Sequence, residues 1–377
     1  MRLAVFSDLI YRRHGGALWA DEAFALFAAR LAEVSERLVL VGRLDPADEP
    51  HAHRLPDGVE LAGLPYYADL GGARAPVALA RSLRALWRAL DDVDTVWLLG
   101  PHPLGIVLAL FGVARRRRVV LGVRQNLPAY VRARRPGRRA LLLAAQLLEA
   151  AWRALARVFG VVVVGPDLAQ RYRGARRLLD IPISLIDEAD IAPVERVYDG
   201  DLVALSVGRL DAEKNPLLLA DALAALRRRD PRWRMVICGD GVLRDALAAR
   251  LEELGVAEHA ELRGYLPFDA LRAEYRAGHA LLHVSWTEGF PQVLIEAFAA
   301  GLPVVATDVG GVAAVAGDAA LLVPPGDAEA PAAQLARLAG DAQERSRLVE
   351  RALARAREHT ASATIARLAA FLSSEAP

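Results

Sequence analysis

The feature that most constrains the fold is an alternation of short apolar runs with helical patterns, which occurs twice along the 377-residue chain. In the first half the apolar runs predict strands, and helical spacing separates several of them. The predicted strands are 2–6, 38–41, 59–62, 95–99, 119–123 and 161–164, and the predicted helices are 17–34, 76–90, 103–114 and 138–158. Buried strands that alternate with helices predict a parallel sheet covered on both faces.

The same alternation restarts near residue 201, after an acidic, proline-containing linker at 180–200. The second set of predicted strands is 202–207, 233–238, 261–264, 280–284 and 303–306, and the helices are 216–229, 242–254, 291–300, 327–338, 342–358 and 361–373. We therefore predict an α/β protein of two Rossmann-like, doubly wound domains, 1–190 and 191–358. We expect the domains to face a central cleft, because ligands of such sheets bind beyond the carboxyl ends of the strands.

Cysteine use and the amino terminus bear on the compartment. Cys238 is the single cysteine, so the chain cannot form an internal disulfide, which suits a reducing cytoplasm. The first residues become charged too soon for a signal peptide. The uncharged stretch 95–114 is interrupted by glycine and proline, so we expect a strand, a loop and a buried helix there. A cytoplasmic location is predicted.

The charge of the chain is unevenly distributed. Residues 1–190 hold 27 arginines and 20 acidic residues, whereas residues 191–377 hold 20 basic and 26 acidic residues. Ten arginines and no acid lie between Asp94 and Glu149. The arginine-rich region 115–158 favours peripheral contact with the anionic inner face of a membrane, or with an anionic acceptor. A solvated face on an ordinary amphipathic helix is the alternative, and nucleic acid is not an expected partner.

The single lysine, Lys214, lies in the segment Gly208-Arg-Leu-Asp-Ala-Glu-Lys-Asn-Pro, between a predicted strand and helix. A Walker A motif needs a lysine beside serine or threonine, so P-loop NTPases are excluded. Arg209 and Lys214 flank one loop and could converge on a phosphate. Two fixed cations stabilise a departing diphosphate without a metal ion. Two solvated loop charges are the simpler alternative.

The segment Glu288-Gly-Phe-Pro-Gln-Val-Leu-Ile-Glu296 follows a predicted strand and opens a predicted helix at Pro291. A helix start offers free N–H groups to a diphosphate, here from Gly289, Phe290 and Gln292. Glu296 lies about 7.5 Å further along the helix axis, which matches the span from a phosphate to its ribose. Its carboxylate can accept from both ribose hydroxyls. Glu288 would then meet the sugar, unless the two glutamates are unrelated.

These segments resemble the retaining, nucleotide-sugar-dependent glycosyltransferases of the GT-B fold, specifically glycosyltransferase group 1 (GT4). The similarity runs from about residue 202 to residue 327. It includes Val207-Gly-Arg-Leu, Cys238-Gly-Asp-Gly, Arg263-Gly-Tyr265, Glu288–Glu296 with Ala297-Phe-Ala-Ala-Gly-Leu-Pro, Gly310-Gly311 and Leu322-Val-Pro-Pro-Gly-Asp327.

The resemblance implies specific donor contacts. Arg209 and Lys214 would hold the diphosphate, and Glu288 would contact the transferred sugar together with Gly289, Phe290 and Pro291. Glu296 would hold the ribose, and Tyr265 and Leu266 would lie at the base. The resemblance also implies retention at the anomeric carbon, no cofactor and no catalytic metal. The final segment, 359–377, would pack back on the first domain.

The first half is less typical of the family. Gly15 and Gly16 resemble its glycine-rich loop after the first strand, with Gly16 expected at the donor and Gly15 at the acceptor; a plain turn is the alternative. Arg124 occupies the place where many members carry a histidine at the tip of the fifth strand. His102 is a candidate to position the acceptor or the β-phosphate, and a structural histidine is its alternative.

The sequence thus predicts a metal-independent hexosyltransferase with a nucleotide-diphosphate sugar as donor. The expected acceptor is a cell-envelope glycan or a lipid-linked sugar. Three alternatives stay open: a nucleotide-sugar epimerase of the same fold, a Rossmann oxidoreductase, and a non-catalytic module that binds sugar or nucleotide. The oxidoreductase would need a complete glycine fingerprint, and Gly239-Asp-Gly241 is an incomplete one.

Overall fold

The computed structural model describes residues 1–67, 75–134 and 137–374. The chain divides into two compact units. Unit 1 comprises Met1–Leu185 with the segment from Ala361 onward, and unit 2 comprises Ile186–Thr360. The division thus falls five residues before the predicted boundary at 190, within the predicted linker.

Unit 1 is built on a mostly parallel sheet. Its strands are β1 (Arg2–His14), β2 (Ala17–Ala20), β3 (Arg37–Leu44), β4 (His53–Arg54), β5 (Glu60–Pro65), β6 (Thr95–Gly100), β7 (Arg118–Val123), β8 (Gly160–Val163) and β9 (Arg177–Asp180). The parallel strands follow the order β5-β3-β1-β6-β7-β8-β9. This is a doubly wound order whose direction reverses between β1 and β6.

Helices connect these strands. The described helices of unit 1 are α1 (Phe24–Ala29), α2 (Ala75–Ala89), α3 (Pro103–Ala114), α4 (Leu127–Arg134), α5 (Arg139–Ala156), α6 (Pro166–Arg171) and, after unit 2, α14 (Ala361–Ser373). The carbonyl groups that end α14 accept hydrogen bonds from arginines of β7 and β9, as in Arg118 Nη1 to Leu372 O at 3.1 Å. The final helix is therefore anchored on the sheet of unit 1.

Strand β1 and the segment that follows it differ from the prediction. Strand β1 continues to His14, with a register break between Phe6 and Ile10, and then turns back antiparallel into β2. Gly15 and Gly16 have φ of +57° and +77°, the left-handed values that a two-residue hairpin turn requires. The helix predicted at 17–34 is therefore wrong: tertiary strand pairing overrides the helical spacing at its start, and only α1 and a 3₁₀ turn follow.

Unit 2 has a fully parallel sheet. Its strands are β10 (Leu202–Val207), β11 (Trp233–Cys238), β12 (Ala260–Gly264), β13 (Ala280–His283), β14 (Val304–Thr307) and β15 (Ala320–Val323). Its helices are α7 (Leu217–Arg229), α8 (Arg244–Glu253), α9 (Phe268–Ala277), α10 (Gln292–Ala299), α11 (Val312–Ala316), α12 (Glu329–Gly340) and α13 (Ala342–Glu358). The order β12-β11-β10-β13-β14-β15 reverses between β10 and β13.

Successive residues of the central strands of unit 2 enter separate cores on the two faces of the sheet. On β10, Leu202 and Ala204 pack into one cluster, whereas Val203 and Leu205 pack into the other. Both clusters are covered by helices, so the strands read as continuous apolar runs. The prediction of sheets covered on both faces is confirmed, and its cause is this two-sided burial.

Candidate functional site

The strongest cluster of candidate residues lies where the strand order of unit 2 reverses. The loop after β10 carries Arg209 and Lys214, and the loop after β13 carries Glu288. In doubly wound sheets the two strands beside the reversal send their connections to opposite faces, which opens a crevice at their carboxyl ends. Arg209, Lys214, His283 and Ser285 line one cavity at this point.

Three donors converge on one oxygen of Glu288. Oε1 lies 2.6 Å from Lys214 Nζ and 2.8 Å from His283 Nε2, and Ser285 Oγ donates to it at 2.7 Å. The other oxygen, Oε2, has no hydrogen-bond partner among the described residues. Lys214 makes this one ion pair, so two of its three ammonium hydrogens are available. The cluster therefore keeps both an acceptor and a donor for a ligand.

The electrostatics of the cluster keep Glu288 ionised. Burial acts to raise the pKa of its carboxyl, but hydrogen bonds and positive charge from His283 and Lys214 outweigh burial and hold the pKa at about 2. Only 8% of Glu288 is exposed. A buried carboxylate with this pKa accepts hydrogen bonds at any physiological pH and does not act as a general acid.

Close backbone approaches fix the position of the Glu288 loop. The carbonyl oxygen of Glu288 accepts a hydrogen bond from the N–H of Gly311 at 3.0 Å. A Cβ atom at Gly310, whose φ is +49°, would lie 2.1 Å from that same oxygen. Only glycine fits this position, which explains the Gly310-Gly311 pair. The N–H of Trp286 donates to the carbonyl of Glu213 at 2.9 Å and joins the two loops of the site.

A second glycine contact shapes the Arg209 loop. A Cβ at Gly239, where φ is +141°, would lie 1.8 Å from the carbonyl oxygen of Gly208. The N–H of Leu210 donates to the carbonyl of Asp240 at 2.9 Å. The loops after β10 and β11 are thus held together by backbone contact, which accounts for the glycine at 239.

Arg209 lines the same cavity as Lys214 but binds acids of its own loop. Its guanidinium pairs with Asp211 and with Glu213, and 52% of its side chain is exposed. The structure therefore brings the two predicted cations to one cavity without joining them to a common partner.

Glu296 lies on α10 and faces a different cavity. Its Oε2 accepts a hydrogen bond from the hydroxyl of Tyr275 at 2.6 Å, and it lines a pocket with Tyr275, Phe268 and Arg272. Burial raises the pKa of Glu296 and the bond from Tyr275 opposes that rise. Glu288 thus precedes α10 and Glu296 lies on it, and the two predicted glutamates do not share a cavity.

The segment between the two glutamates exposes backbone donors. Gly289 is exposed, and the N–H groups of Gly289 and Phe290 donate no hydrogen bond to the described residues. Pro291 precedes the first residue of α10, and the ring of Phe290 packs edge-on against His359 with centroids 5.8 Å apart. Tyr265, at the end of β12, is 62% exposed, and Leu266 is half-buried.

In unit 1, His102 belongs to a buried polar cluster at the corresponding reversal between β1 and β6. Its Nδ1 accepts from the N–H of Leu104 at 3.2 Å and caps α3, so the ring proton lies on Nε2. Nε2 faces Tyr67 Oη at 3.3 Å and Asp8 Oδ1 at 3.5 Å. Burial lowers the pKa of His102, the charge of Asp8 opposes this effect and Arg43 adds to it.

The remaining members of the cluster bind one another. Tyr67 donates to Asp8 Oδ1 at 2.5 Å, and Arg43 Nε lies 3.1 Å from the same oxygen. Arg43 also donates to the carbonyls of Asp8 and Tyr67. His102 is therefore both a helix cap and part of an ionic network.

The other unit 1 candidates have local partners. Gly15 and Gly16 form the exposed tip of the β1–β2 hairpin, with no heavy atom within 4 Å of a Cβ placed on either. Arg124 pairs with Glu22 at 3.0 Å and stacks over Phe24 at 4.3 Å. In the structure, Gly15 and Gly16 form a plain turn, which was the alternative to a ligand-binding loop.

Several residues of these sites are not singled out by the sequence. His283 and Ser285 lie next to Glu288 in space and are visible in sequence only as a strand end. Asp8 lies within β1, Arg43 lies near the end of β3, and Tyr67 follows β5. The signal that could find these residues is shared: a polar residue that comes shortly after an apolar run in the sequence.

Two kinds of feature are absent from the described residues. No group of three histidine, cysteine, aspartate or glutamate side chains is placed to hold a metal ion. Within the same part of the chain, no helix has both the length and the apolar character needed to cross a bilayer.

Solved structures that superpose on the chain identify its fold class. WaaG, a glycosyltransferase involved in lipopolysaccharide biosynthesis, superposes with a TM-score of 0.71 at 18% identity, over 99% of this chain and 100% of that one. Anabaena Alr3699/HepE, solved in complex with UDP, superposes with a TM-score of 0.70 at 19% identity over all of both chains. These likenesses establish the GT-B fold.

Unit 2 contains the match to a family model. Residues 187–355 match the model of glycosyl transferases group 1. The D-inositol 3-phosphate glycosyltransferase of Corynebacterium glutamicum (strain R) is 38% identical over 177 residues, 45% of this chain and 42% of that protein. A Campylobacter jejuni undecaprenol-linked 4-alpha-N-acetylgalactosaminyltransferase is 37% identical over 145 residues, 38% of each chain. The chain spans about two fifths of the length of the curated relatives that it matches.

Proposed function

We propose that the protein is a retaining glycosyltransferase that moves a sugar from a nucleoside diphosphate to a hydroxyl-bearing acceptor. The observation that carries the proposal is the convergence of Lys214, His283 and Ser285 on one oxygen of Glu288, in the crevice of unit 2. The family match of residues 187–355 supports it, as do relatives named as glycosyltransferases and a structural neighbour solved with UDP-glucose.

The donor site is assigned from the groups left free in unit 2. Lys214 binds the diphosphate with its remaining ammonium hydrogens, and the N–H groups of Gly289 and Phe290, just before Pro291 and α10, add two further donors. Glu288 Oε2 accepts from hydroxyls of the transferred sugar. Arg209 joins the diphosphate by exchanging its loop carboxylates for the ligand.

The nucleoside is assigned to residues on either side of this centre. Oε1 of Glu296, which has no hydrogen-bond partner in the described part of the chain, accepts from a ribose hydroxyl, while Tyr275 holds Oε2. Tyr265 and Leu266 lie beyond β12 and provide an exposed apolar surface for the base. This assignment requires the donor to extend from the Lys214 cavity to the Glu296 cavity along α10.

The reaction proposed for this site is a dissociative substitution. The bond between the anomeric carbon and the phosphate oxygen breaks, and an oxocarbenium-like state develops at the sugar. The acceptor hydroxyl forms its bond from the same face, and its proton passes to the departing phosphate oxygen. Lys214, Arg209 and the amides before α10 stabilise the negative charge that grows on the diphosphate.

No metal and no cofactor are assigned to this step, because fixed cations supply the charge that balances the leaving group. Transfer is therefore expected to proceed at an unchanged rate in excess EDTA. A rate that falls with EDTA and returns with added Mg²⁺ or Mn²⁺ would show that the donor is bound as a metal complex.

The acceptor is assigned to unit 1 and to the class of cell-envelope or lipid-linked glycans. In the proposal, neutral His102 donates its Nε2 proton to an acceptor or phosphate oxygen in place of Tyr67 and Asp8, while the N–H of Leu104 holds Nδ1. Arg124 and Gly15 contribute at the acceptor side, and Gly16 at the donor. The support is the position of His102 at the strand-order reversal of unit 1.

A panel of nucleotide sugars tests the proposal directly. A ligand that binds the folded state raises the free energy of unfolding by about 2.7 kcal/mol at a hundredfold excess over Kd, and the melting temperature rises with it. We expect one donor to stabilise the wild type, and Glu296→Gln to reduce that shift. Glu252→Gln, an exposed carboxylate on α8 without a described partner, is the control. No shift with any nucleoside diphosphate or nucleotide sugar would contradict the proposal.

The product separates transfer from the alternatives. Release of the diphosphate with the anomeric configuration retained in the product indicates transfer. Conversion of the donor into another nucleotide sugar without an acceptor would indicate an epimerase instead. Binding without turnover would indicate a binding module.

We also propose peripheral contact of the 115–158 region with an anionic membrane surface. On α5, Leu143 and Leu147 are 56% and 63% exposed on one face. Exposed Arg139, Arg153 and Arg157 lie beside them.

Sedimentation with phosphatidylglycerol vesicles, but not with phosphatidylcholine vesicles, is expected. The double variant Leu143→Ser with Leu147→Ser should reduce the sedimentation with phosphatidylglycerol vesicles. Leu110 is equally exposed on α3, so Leu110→Ser is the control and should not reduce it. Equal sedimentation of the wild type with both lipids would exclude the contact.

A further inference from the structure

Helix α2 of unit 1 has two apolar stripes. Leu86 and Ala89 enter the core of the unit on one side of the helix. A second set of apolar residues is exposed, at spacings of three and four residues that place its members on one face. These residues are Val77, Ala80, Leu83 and Trp87. Because the outer face of a surface helix is ordinarily polar, this second stripe indicates a binding partner.

Trp87 is held rigidly at the end of this stripe. Its ring packs edge-on against Phe111 of α3, with centroids 5.2 Å apart. The guanidinium of Arg115 stacks over it at 4.7 Å and also pairs with Asp91, in the turn that follows α2. An exposed tryptophan that is already fixed loses little entropy on association, and tryptophan and arginine are enriched among the residues that dominate protein interfaces.

Helix α3 extends the exposed apolar surface. The contacts of Trp87 and Asp91 with α3 both join residues whose numbers differ by 24 (87 with 111, 91 with 115), so the two helices run side by side. By this relation the exposed Leu110 and Val113 lie level with positions 86 and 89, one on each side of Trp87. We call the exposed stripe of α2 together with Leu110 and Val113 the α2–α3 face.

The α2–α3 face also has charges of both signs. Arg84 is exposed and has no hydrogen bond or ion pair with the described residues. Asp91 lies seven residues further, nearly two helical turns, and therefore on the same side of the helix. Its side chain is 58% exposed, and Arg115 binds Oδ1, which leaves Oδ2 without a partner in the described chain. An accessible cation and an accessible anion thus flank Trp87, too far apart along the helix to pair with each other.

A two-fold axis near Trp87 makes this pattern self-complementary. An antiparallel second copy of α2 then places Arg84 of each copy opposite Asp91 of the other, because the two residues lie three and four positions from Trp87. Leu110 of each copy meets Val113 of the other in the same way. Every contact occurs twice, as in the isologous interfaces of two-fold symmetric dimers.

An anionic membrane fits the α2–α3 face less well than a protein does. Asp91 and its neighbour Asp92, whose side chain is 80% exposed, would be repelled by anionic lipid. The face of α5 differs in this respect, since the only acid of that helix, Glu149, is buried. The two surfaces therefore suit different partners.

We propose that the α2–α3 face binds a second copy of this chain in a two-fold symmetric dimer. Trp87 lies at the centre of the interface, and reciprocal ion pairs between Arg84 and Asp91 lie on either side of it. The dimer uses no residue of the proposed donor site, so the proposal does not depend on the proposed function.

Sedimentation velocity of the full chain tests the dimer. At about 100 µM, above the micromolar Kd of weak specific interfaces, the wild type is expected to sediment as a dimer. Trp87→Ala should raise the dimer Kd about thirtyfold or more, the loss typical of a central interface residue. Leu143→Ser with Leu147→Ser removes equally exposed apolar side chains from α5 and should leave the Kd unchanged. Circular dichroism checks that the variants fold.

Charge reversal tests the two-fold arrangement. Arg84→Glu alone and Asp91→Arg alone each place like charges opposite one another, so each variant should sediment as a monomer. An equimolar mixture of the two variants should form a heterodimer, because both pairs across the axis are then of opposite sign. Mixing cannot restore association to a variant that has failed to fold.

Three results would overturn the proposal. The first is a wild type that stays monomeric at about 100 µM. The second is a dimer whose Kd is unchanged by Trp87→Ala, or whose charge variants stay monomeric when mixed. The third is a monomeric wild type in which Trp87→Ala abolishes sedimentation with phosphatidylglycerol vesicles, which would assign the face to lipid.

Discussion

At the scale of residues, the site of unit 2 is an ionic cluster organised by Glu288. Three donors on Oε1 orient the carboxylate, and the second oxygen is left for a ligand. The cluster contains the only lysine in the sequence, whereas the other 46 basic residues are arginines. A compact ammonium group can bind Glu288 and a phosphate at once with hydrogens in different directions, which a planar guanidinium does less well.

Replacement of Lys214 tests its charge. Lys214→Ala is expected to lower kcat by about a hundredfold or more at saturating donor, the usual loss when one charge-stabilising donor is removed. Arg234→Ala removes an exposed cation of the same unit as a control, and circular dichroism checks folding. Near-normal kcat in Lys214→Ala would exclude Lys214 from the leaving-group role.

The pKa of Glu288 predicts a pH-dependent contribution to stability. Its folded pKa of about 2 lies below the ordinary value of 4.5, so the ionised form stabilises the fold above about pH 4.5 and this contribution is lost as the pH falls toward 2. The shift corresponds to about 3 kcal/mol. The free energy of unfolding of the wild type minus that of Glu288→Gln should shrink between about pH 6 and pH 3. For Glu252→Gln the difference should stay flat, and a flat difference for Glu288→Gln would contradict the assignment.

At the scale of elements, backbone contacts between strand-end loops position the site. The loops after β10 and β11 touch at Gly239, and the loops after β13 and β14 touch at Gly310; at each of these two glycines a side chain would overlap a carbonyl group. The apolar runs were predicted because buried strands and amphipathic helices have regular periods. The β1–β2 hairpin was missed, since its short strand has no distinct period and only Gly15-Gly16 signals it.

Gly310→Ala tests this arrangement. Its Cβ would meet the carbonyl of Glu288 at 2.1 Å, at a φ of +49°, so we expect a loss of about 1–3 kcal/mol in the free energy of unfolding. Weaker donor binding should accompany it, because the Glu288 loop must move. Gly340→Ala, at the end of α12 with no atom within 4 Å, is the control and should be neutral in a denaturant titration. Equal stability of the two variants would show that the loop adapts freely.

At the scale of the whole molecule, the chain is two doubly wound units with separate cores, and it leaves unit 1 for unit 2 and returns with α14. Each unit gathers its candidate polar cluster where its own strand order reverses. The division of labour proposed here, with donor in unit 2 and acceptor in unit 1, follows from the chemistry of these two clusters.

Hydrogen exchange of the full chain tests that division. The nucleoside diphosphate that stabilises the protein best is expected to slow exchange in the loops 208–216 and 285–291. Helix α5 of unit 1 should exchange unchanged in the same experiment and serves as the internal control. Protection confined to unit 1 would place the nucleotide in the wrong unit for the proposed function.

The sequence by itself determined the two alternations of strands and helices, the parallel sheets, and segments 208–216 and 288–296 as candidate ligand-binding loops. It could do so because periodicity and loop motifs are local properties. Only the tertiary structure decided which side chains meet. The pairing of Lys214 with Glu288 spans 74 residues, and His283 and Ser285 join it only because β13 ends there. It also decided that Glu296 faces Tyr275. Such meetings depend on strand order and helix packing, which bring together residues that no sequence period connects.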